Sequence, residues 1–159
     1  MTTSRRHQPA TILPLHRPSG LHALLADIVG AAARRQRDLG GGPVEATLDV
    51  AAGLDLPVDP RLLRGIVAPL VAAAFAASAV RDRRRPGCGE VVVTAVAFAD
   101  RVEIEVADSG DADGAGAAVA DLRGLVERAG GTLGVARCPE GGMAYTLCLP
   151  GRLASSRAA

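Results

Sequence analysis

Two stretches rich in β-branched residues, Glu90–Ala99 and Val102–Ala107, are separated only by Asp100 and Arg101, and the second alternates apolar and polar residues. Strand side chains point to opposite faces in turn, so this pattern predicts an antiparallel hairpin with one buried face. In the second stretch Val102, Ile104 and Val106 share one face, and Glu103 and Glu105 share the other. A sheet with one apolar face needs a layer to cover it. The rest of the chain supplies helices with apolar stripes.

The first stripe follows Ser19, a candidate N-cap, and places Leu21, Leu24, Leu25, Ile28 and Val29 on one face before LGGG stops the helix. VEATLDV, residues 44–50, alternates as a strand. Asp59-Pro60 is a helix start with the cap directly before a proline, and Leu62, Leu63, Ile66, Val67, Leu70, Val71, Ala74 and Phe75 form the stripe that follows. A Gly-rich loop after Ala107 leads into a helix with Val119, Leu122, Leu125, Val126 and Ala129 on one side, ended by Gly130-Gly131. Thr132–Arg137 and Ala144–Leu149 make a last hairpin across Pro139–Met143. The strands do not alternate regularly with helices. The expected fold is therefore α+β: a two-layer α/β sandwich of one mixed sheet with its helices on one face.

A chain of 159 residues allows one domain with a full core. It holds only 2 Phe, 1 Tyr and no Trp, so Leu, Val and Ala fill that core. The expected boundaries are a polar segment over residues 1–12, the domain over 13–150 and a tail over 151–159. All 18 basic residues are Arg, with no Lys and no Asn anywhere. Chemistry that needs an amine or an asparagine carboxamide is excluded. Cys88, Cys138 and Cys148 have no metal-ligand spacing. There is no leader-like segment at the start, and no run is expected to span a membrane, so a cytoplasmic protein is the expectation. A net charge of +1 and the scarcity of aromatic residues give no sign of nucleic-acid binding. The charge run RDRRRPGCG reads as solvated surface.

Four stretches carry a resemblance: VDPRLLRGIVAPLVAAAFAAS, VEIEVADSG, LVERAGGTLGV and GGMAYTLCLP, in that order between Ile12 and Pro150. Together they resemble the ATP-binding domain of sensor histidine kinases, the Bergerat fold shared with gyrase B-type and mismatch-repair ATPases. The resemblance implies an ATP site, and it assigns residues to it. Asp108 matches the aspartate that accepts a hydrogen bond from the adenine amino group, and Gly110 matches the first glycine of that box. Gly114 and Gly116 match glycines whose backbone amides wrap the phosphates, as converging N–H groups at a helix start can. Read without the resemblance, Asp108 is equally a turn-forming aspartate after a strand, and the glycines are equally a linker.

Other matching positions lack the family's chemistry. The two asparagine positions of the helix are Pro69 and Ala73, and the second is the magnesium ligand. A methyl group offers nothing to a hard cation that requires oxygen ligands. Pro69 is also expected to kink its helix, costing about 3 kcal/mol. The second glycine of the adenine box is Ala112, the third of the phosphate box is Ala118, and the supporting threonine is Met143. Ala118 is expected to suffer strain if its position requires φ > 0.

The leading expectation is thus a degenerate, pseudo-ATPase regulatory or partner-binding module of two-component-type signalling, with ATP bound weakly if at all and Mg2+ doubtful. Its partner would be a response regulator, a kinase or a sigma-factor-related protein. The alternative is an active domain that phosphorylates a partner in trans. A third reading is a phosphotransfer or homo-oligomeric scaffold. His16 and His22 lack the acid that follows a phosphoacceptor histidine, which disfavours it.

Overall fold

The computed structural model describes residues 20–79, 88–110 and 115–151. Ser19, His7, His16, Ala112, Gly114, both terminal segments and most of the Arg-rich loop lie outside the described residues. The elements run α1 (Leu21–Asp38), β1 (Val44–Val50), α2 (Pro60–Ala79), β2 (Gly89–Ala97), β3 (Arg101–Asp108), α3 (Ala115–Arg128), β4 (Thr132–Arg137) and β5 (Met143–Pro150).

The strands form one mixed sheet in the order β1-β2-β3-β5-β4, in which only β1 and β2 pair in parallel. That parallel pair is joined through α2, because strands running the same way need a crossover between them. The hairpin turn between β2 and β3 comprises Phe98, Ala99 and Asp100, closed by the Phe98 amide donating to the Arg101 carbonyl at 2.7 Å. The strands around it therefore end and begin differently from the sequence expectation: β2 stops at Ala97 and β3 starts at Arg101.

One sheet face is buried throughout its centre. Val91, Val93 and Ala95 of β2 meet Val102, Ile104 and Val106 of β3 and Tyr145, Leu147 and Leu149 of β5. The helices cover this face, and their own stripes complete a single core. Leu21, Leu24, Leu25 and Ile28 come from α1, and Leu63, Ile66, Val67, Leu70, Val71, Ala74 and Phe75 come from α2. Alternation on the strands and a 3.6-residue stripe on the helices thus fix which faces meet.

The helix ends are set by local chemistry. Asp59 Oδ1 accepts from the Arg61 and Leu62 amides at 2.9 and 3.2 Å, so the expected cap on α2 is present. α1 has no side-chain cap: Gly20 occupies its N-cap, and the Leu21 amide is satisfied by the Leu54 carbonyl at 2.9 Å. At the other end Gly40 takes φ 69°, and the Gly40 and Gly41 amides close on the Arg37 and Gln36 carbonyls. α3 ends the same way, with Gly130 at φ 70° and its own amide and that of Gly131 bonded to Glu127 and Val126. This is the glycine stop that both GG runs predict.

Two expectations about α2 concern Pro69 and membrane-spanning length. The helix runs through Pro69 from Pro60 to Ala79 without a break. Pro69 is exposed, and the carbonyl it cannot bond belongs to Gly65, also on the solvent side, where water can satisfy it. Replacing Pro69 by alanine restores that hydrogen bond and is expected to raise stability by about 1–3 kcal/mol, read as a higher urea midpoint at unchanged m-value. Secondly, α2 is by length and mean hydropathy (1.8) apolar enough to cross a membrane, contrary to the sequence expectation. Here it is the central core helix, packed against α1, α3 and the sheet, with Arg61 and Arg64 on its outer side. Arg64 pairs with Asp27 of α1 at 2.6 Å.

Candidate functional site

The last residue of β3 carries the site. Continuing the alternation of Val102, Ile104 and Val106 puts Asp108 on the buried face, and its side chain is only 6% exposed. Apolar residues occupy the equivalent position at every earlier step of the strand, so a carboxylate there is the exception. One oxygen, Oδ1, accepts from the Gly110 amide at 2.9 Å, which is the tight Asp-x-Gly turn that the sequence suggests. The other, Oδ2, has no hydrogen-bond partner and is the one such buried side-chain atom among the described residues. Burial pushes the carboxyl up from its ordinary value, while the Gly110 and Met143 amides pull the other way.

Three close approaches hold the aspartate in place. A Cβ on Gly110 would lie 2.6 Å from the Ala77 Cβ, so the loop presses directly on the last turns of α2. Gly142, at φ 90°, runs against the Asp108 carbonyl so closely that no side chain fits between them. A pair of serines completes the clamp. The Ser78 hydroxyl donates to the Glu90 carbonyl at 2.9 Å, and the Glu90 amide donates to the Ser109 hydroxyl at 2.8 Å. The end of α2, the start of β2 and the loop after β3 are thereby tied together. Ser78 and Ser109 escape notice in the sequence, because their role depends on three segments meeting and no spacing encodes it.

Beside Asp108 the sheet is only partly covered. Val135 stands opposite Tyr145 on the helix-facing side, yet it is 41% exposed where Tyr145 is 3% exposed. Among the described residues the helix layer covers Tyr145 more fully than Val135. Burial, and after it the charge of Asp108, raises the Tyr145 pKa above the ordinary tyrosine value. Met143, half-buried and packed against the core, is the next residue on this face of β5.

The other expected positions are distributed as follows. Ala73 lies one helical turn before Ala77, the residue that meets Gly110, so it sits on the flank of α2 facing the site. Gly116 falls inside the first turn of α3 and not in a loop before it, while Gly114 and Ala112 lie outside the described residues. Ala118 is helical, and among the described residues no position other than glycine has positive φ, so the strain expected there is absent. Among the described residues no group of three or more His, Cys, Asp or Glu is arranged to hold a metal.

The raised Asp108 pKa has a defined consequence for stability. A carboxyl whose folded pKa exceeds its unfolded value contributes fully below the unfolded pKa, and that contribution is lost as pH rises through the folded pKa. Wild-type protein is therefore expected to lose stability relative to Asp108→Asn as pH rises from about 4 towards neutrality. Paired urea titrations of the two proteins across that range measure the difference and cancel the other carboxylates.

Comparison with solved structures agrees with this architecture. The blue-light activated histidine kinase of Erythrobacter litoralis EL346 superposes at a TM-score of 0.64, with 20% identity over 82% of this chain and 42% of that one. The catalytic domain of histidine kinase ThkA matches at 0.62, with 16% identity over 80% of this chain and 92% of that one. This is the histidine kinase-like ATPase fold. Full-length ShkA, solved in complex with AMPPNP, matches at 0.64 with 24% identity, over 89% of this chain and 32% of that one. The chain thus spans well under half of the two longer kinases and nearly all of the isolated catalytic domain. No protein-family model and no curated protein matches it.

Proposed function

We propose that this chain is a regulatory, partner-binding module on the histidine kinase-like ATPase fold, cytoplasmic and acting in two-component-type signalling without transferring phosphate. One observation carries the reading: the flank of α2 that faces the Asp108 site presents Ala73 and Ala77. A divalent cation bridging phosphates needs oxygen ligands held at about 2.0–2.1 Å for magnesium, and two methyl groups supply none. The magnesium that the fold implies therefore does not fit the residues present. The heterocyclic end of a nucleotide does fit, since Asp108 Oδ2 is buried and awaits a donor. On this reading the partner is a response regulator, a kinase or a sigma-factor-related protein.

A second reading rests on that same free oxygen: an active domain that binds ATP and phosphorylates a partner in trans. Incubation of the purified chain with radiolabelled ATP and magnesium separates the two. The proposal expects no phosphate release above the protein-free rate, for wild type and for Asp108→Asn alike. Turnover by wild type that Asp108→Asn abolishes would establish the active domain instead.

A further inference from the structure

The two edges of the sheet are not alike. β1 carries the carboxylates of Glu45 and Asp49, and charges of this kind guard an edge against strand pairing. β4 carries no charge and no proline from Thr132 to Ala136, and all of those residues except Leu133 are exposed. Its register with β5 fixes which backbone groups point outward. The Cys138 amide donates to the Gly142 carbonyl, and bonded pairs in an antiparallel ladder alternate with non-bonded ones. Ala136, Gly134 and Thr132 therefore bond to Ala144, Thr146 and Cys148. Leu133 and Val135 turn their N–H and C=O groups to the open edge, and among the described residues nothing bonds to them there.

This edge is complementary to itself. A two-fold axis through Gly134, normal to the sheet, brings Leu133 opposite Val135 of a second copy and Val135 opposite its Leu133. Each such pair exchanges both of its N–H···O=C bonds, so the outward groups of both residues are satisfied. Every residue also keeps its own face of a continuous sheet. On the helix-facing side the apolar pairs cover the Val135 side chain, which is 41% exposed in the single chain. On the outer face Gly134 meets Gly134 at the axis and Thr132 meets Ala136, small groups that leave no collision. Arg137 falls outside the paired segment, so no like charges are opposed. The pairing uses each β4 edge once and closes at two copies.

We infer that β4 is the contact between two copies of this chain, paired antiparallel about Gly134 into one continuous sheet. The surface is small beside the roughly 1,200–2,000 Å² of a standard specific interface, so the expected association is weak, with a Kd of about 10–100 µM. The inference holds under either reading of the Asp108 site.

Sedimentation velocity of the full chain from about 1 to about 500 µM tests it. Wild type is expected to pass from monomer to dimer across that range and to go no further. Val135→Lys, at an exposed position, is expected to weaken the dimer at least 10-fold. Val135→Pro removes an N–H that only the second copy uses and is expected to do the same, with circular dichroism checking its fold. If that variant does not fold, Val135→Lys carries the comparison. Gly134→Cys places a thiol at the axis, where facing Cβ atoms of an antiparallel pair lie about 4.5–5.5 Å apart. Mild oxidation of that variant is expected to give a covalent dimer whose bridge maps to position 134 by peptide mass spectrometry. Monomer at every concentration, assembly beyond two copies, a dimer untouched by Val135→Lys, or cross-linking through the native cysteines alone overturns the inference.

Discussion

Replacing Gly142 by alanine is expected to lower folding stability by about 2–5 kcal/mol, combining a left-handed backbone penalty with the cost of overpacking. The residue sits at φ 90° in the turn that leads into β5, and a Cβ there would penetrate the Asp108 carbonyl and crowd the Ser109 Cα at 3.1 Å. Those neighbours are backbone atoms and cannot rotate away, so either β5 or the loop after β3 must move. Movement of either displaces Asp108, whose Oδ1 is held by the Gly110 amide. Gly134→Ala in the neighbouring strand is the control. Its Cβ would meet nothing nearer than 3.8 Å, so a small effect is expected there. Thermal melts of the three proteins make the comparison, and an unchanged melting temperature for Gly142→Ala would show that the close approach is not a constraint.

The second large effect is expected at Phe75. Phe75→Ala should cost about 3–5 kcal/mol, a large share of the roughly 5–15 kcal/mol that holds an ordinary domain together. Phe75 is 2% exposed, it is one of only 2 Phe in the chain, and no Trp is present to share its volume. The helix positions three and four residues from it are Val71, Ala72, Ser78 and Ala79, whose side chains are too short to reach into the space it leaves. The cavity should therefore stay open. Phe75→Leu keeps most of the volume and is expected to cost less than about 1.5 kcal/mol. Urea midpoints at constant m-value give both numbers, and similar losses for the two variants would mean that the core repacks freely around α2.

Most of the architecture was legible because each element has its own period. The alternation of Val102, Ile104 and Val106 against Glu103 and Glu105 leaves one way to face the core, and the stripe from Leu63 to Phe75 leaves one way to cover it. Asp59 and the two glycine pairs announce their helix ends because their chemistry acts within four residues. What could not be read depends on contacts between distant segments. The cap of α1 is a carbonyl from Leu54, more than thirty residues away, so local sequence points to Ser19 instead. That the carbonyl orphaned by Pro69 faces water is likewise not written in the local sequence.

The site divides along the same line. Asp108 and Gly110 were identifiable as a pair, since a strand followed by Asp-x-Gly specifies its own turn. That Oδ2 would lack a partner could not be known before β5 was in place. Gly116 lies in the first turn of α3, at the helix start where the resemblance expects converging amides.

The parallel pairing of β1 with β2 shapes how this chain reaches its structure. Val44 cannot meet Gly89 until everything between them, α2 included, has been made and drawn together. The β2–β3 hairpin needs only a three-residue turn and can form early, as can the β4–β5 hairpin. Closing the longer loop loses more chain entropy before any contact rewards it. β1 is therefore the late arrival, an edge strand clipped onto a sheet that its own C-terminal half has already assembled. Pulse-labelled amide exchange during refolding is expected to find Val102–Val106 protected before Val44–Leu48.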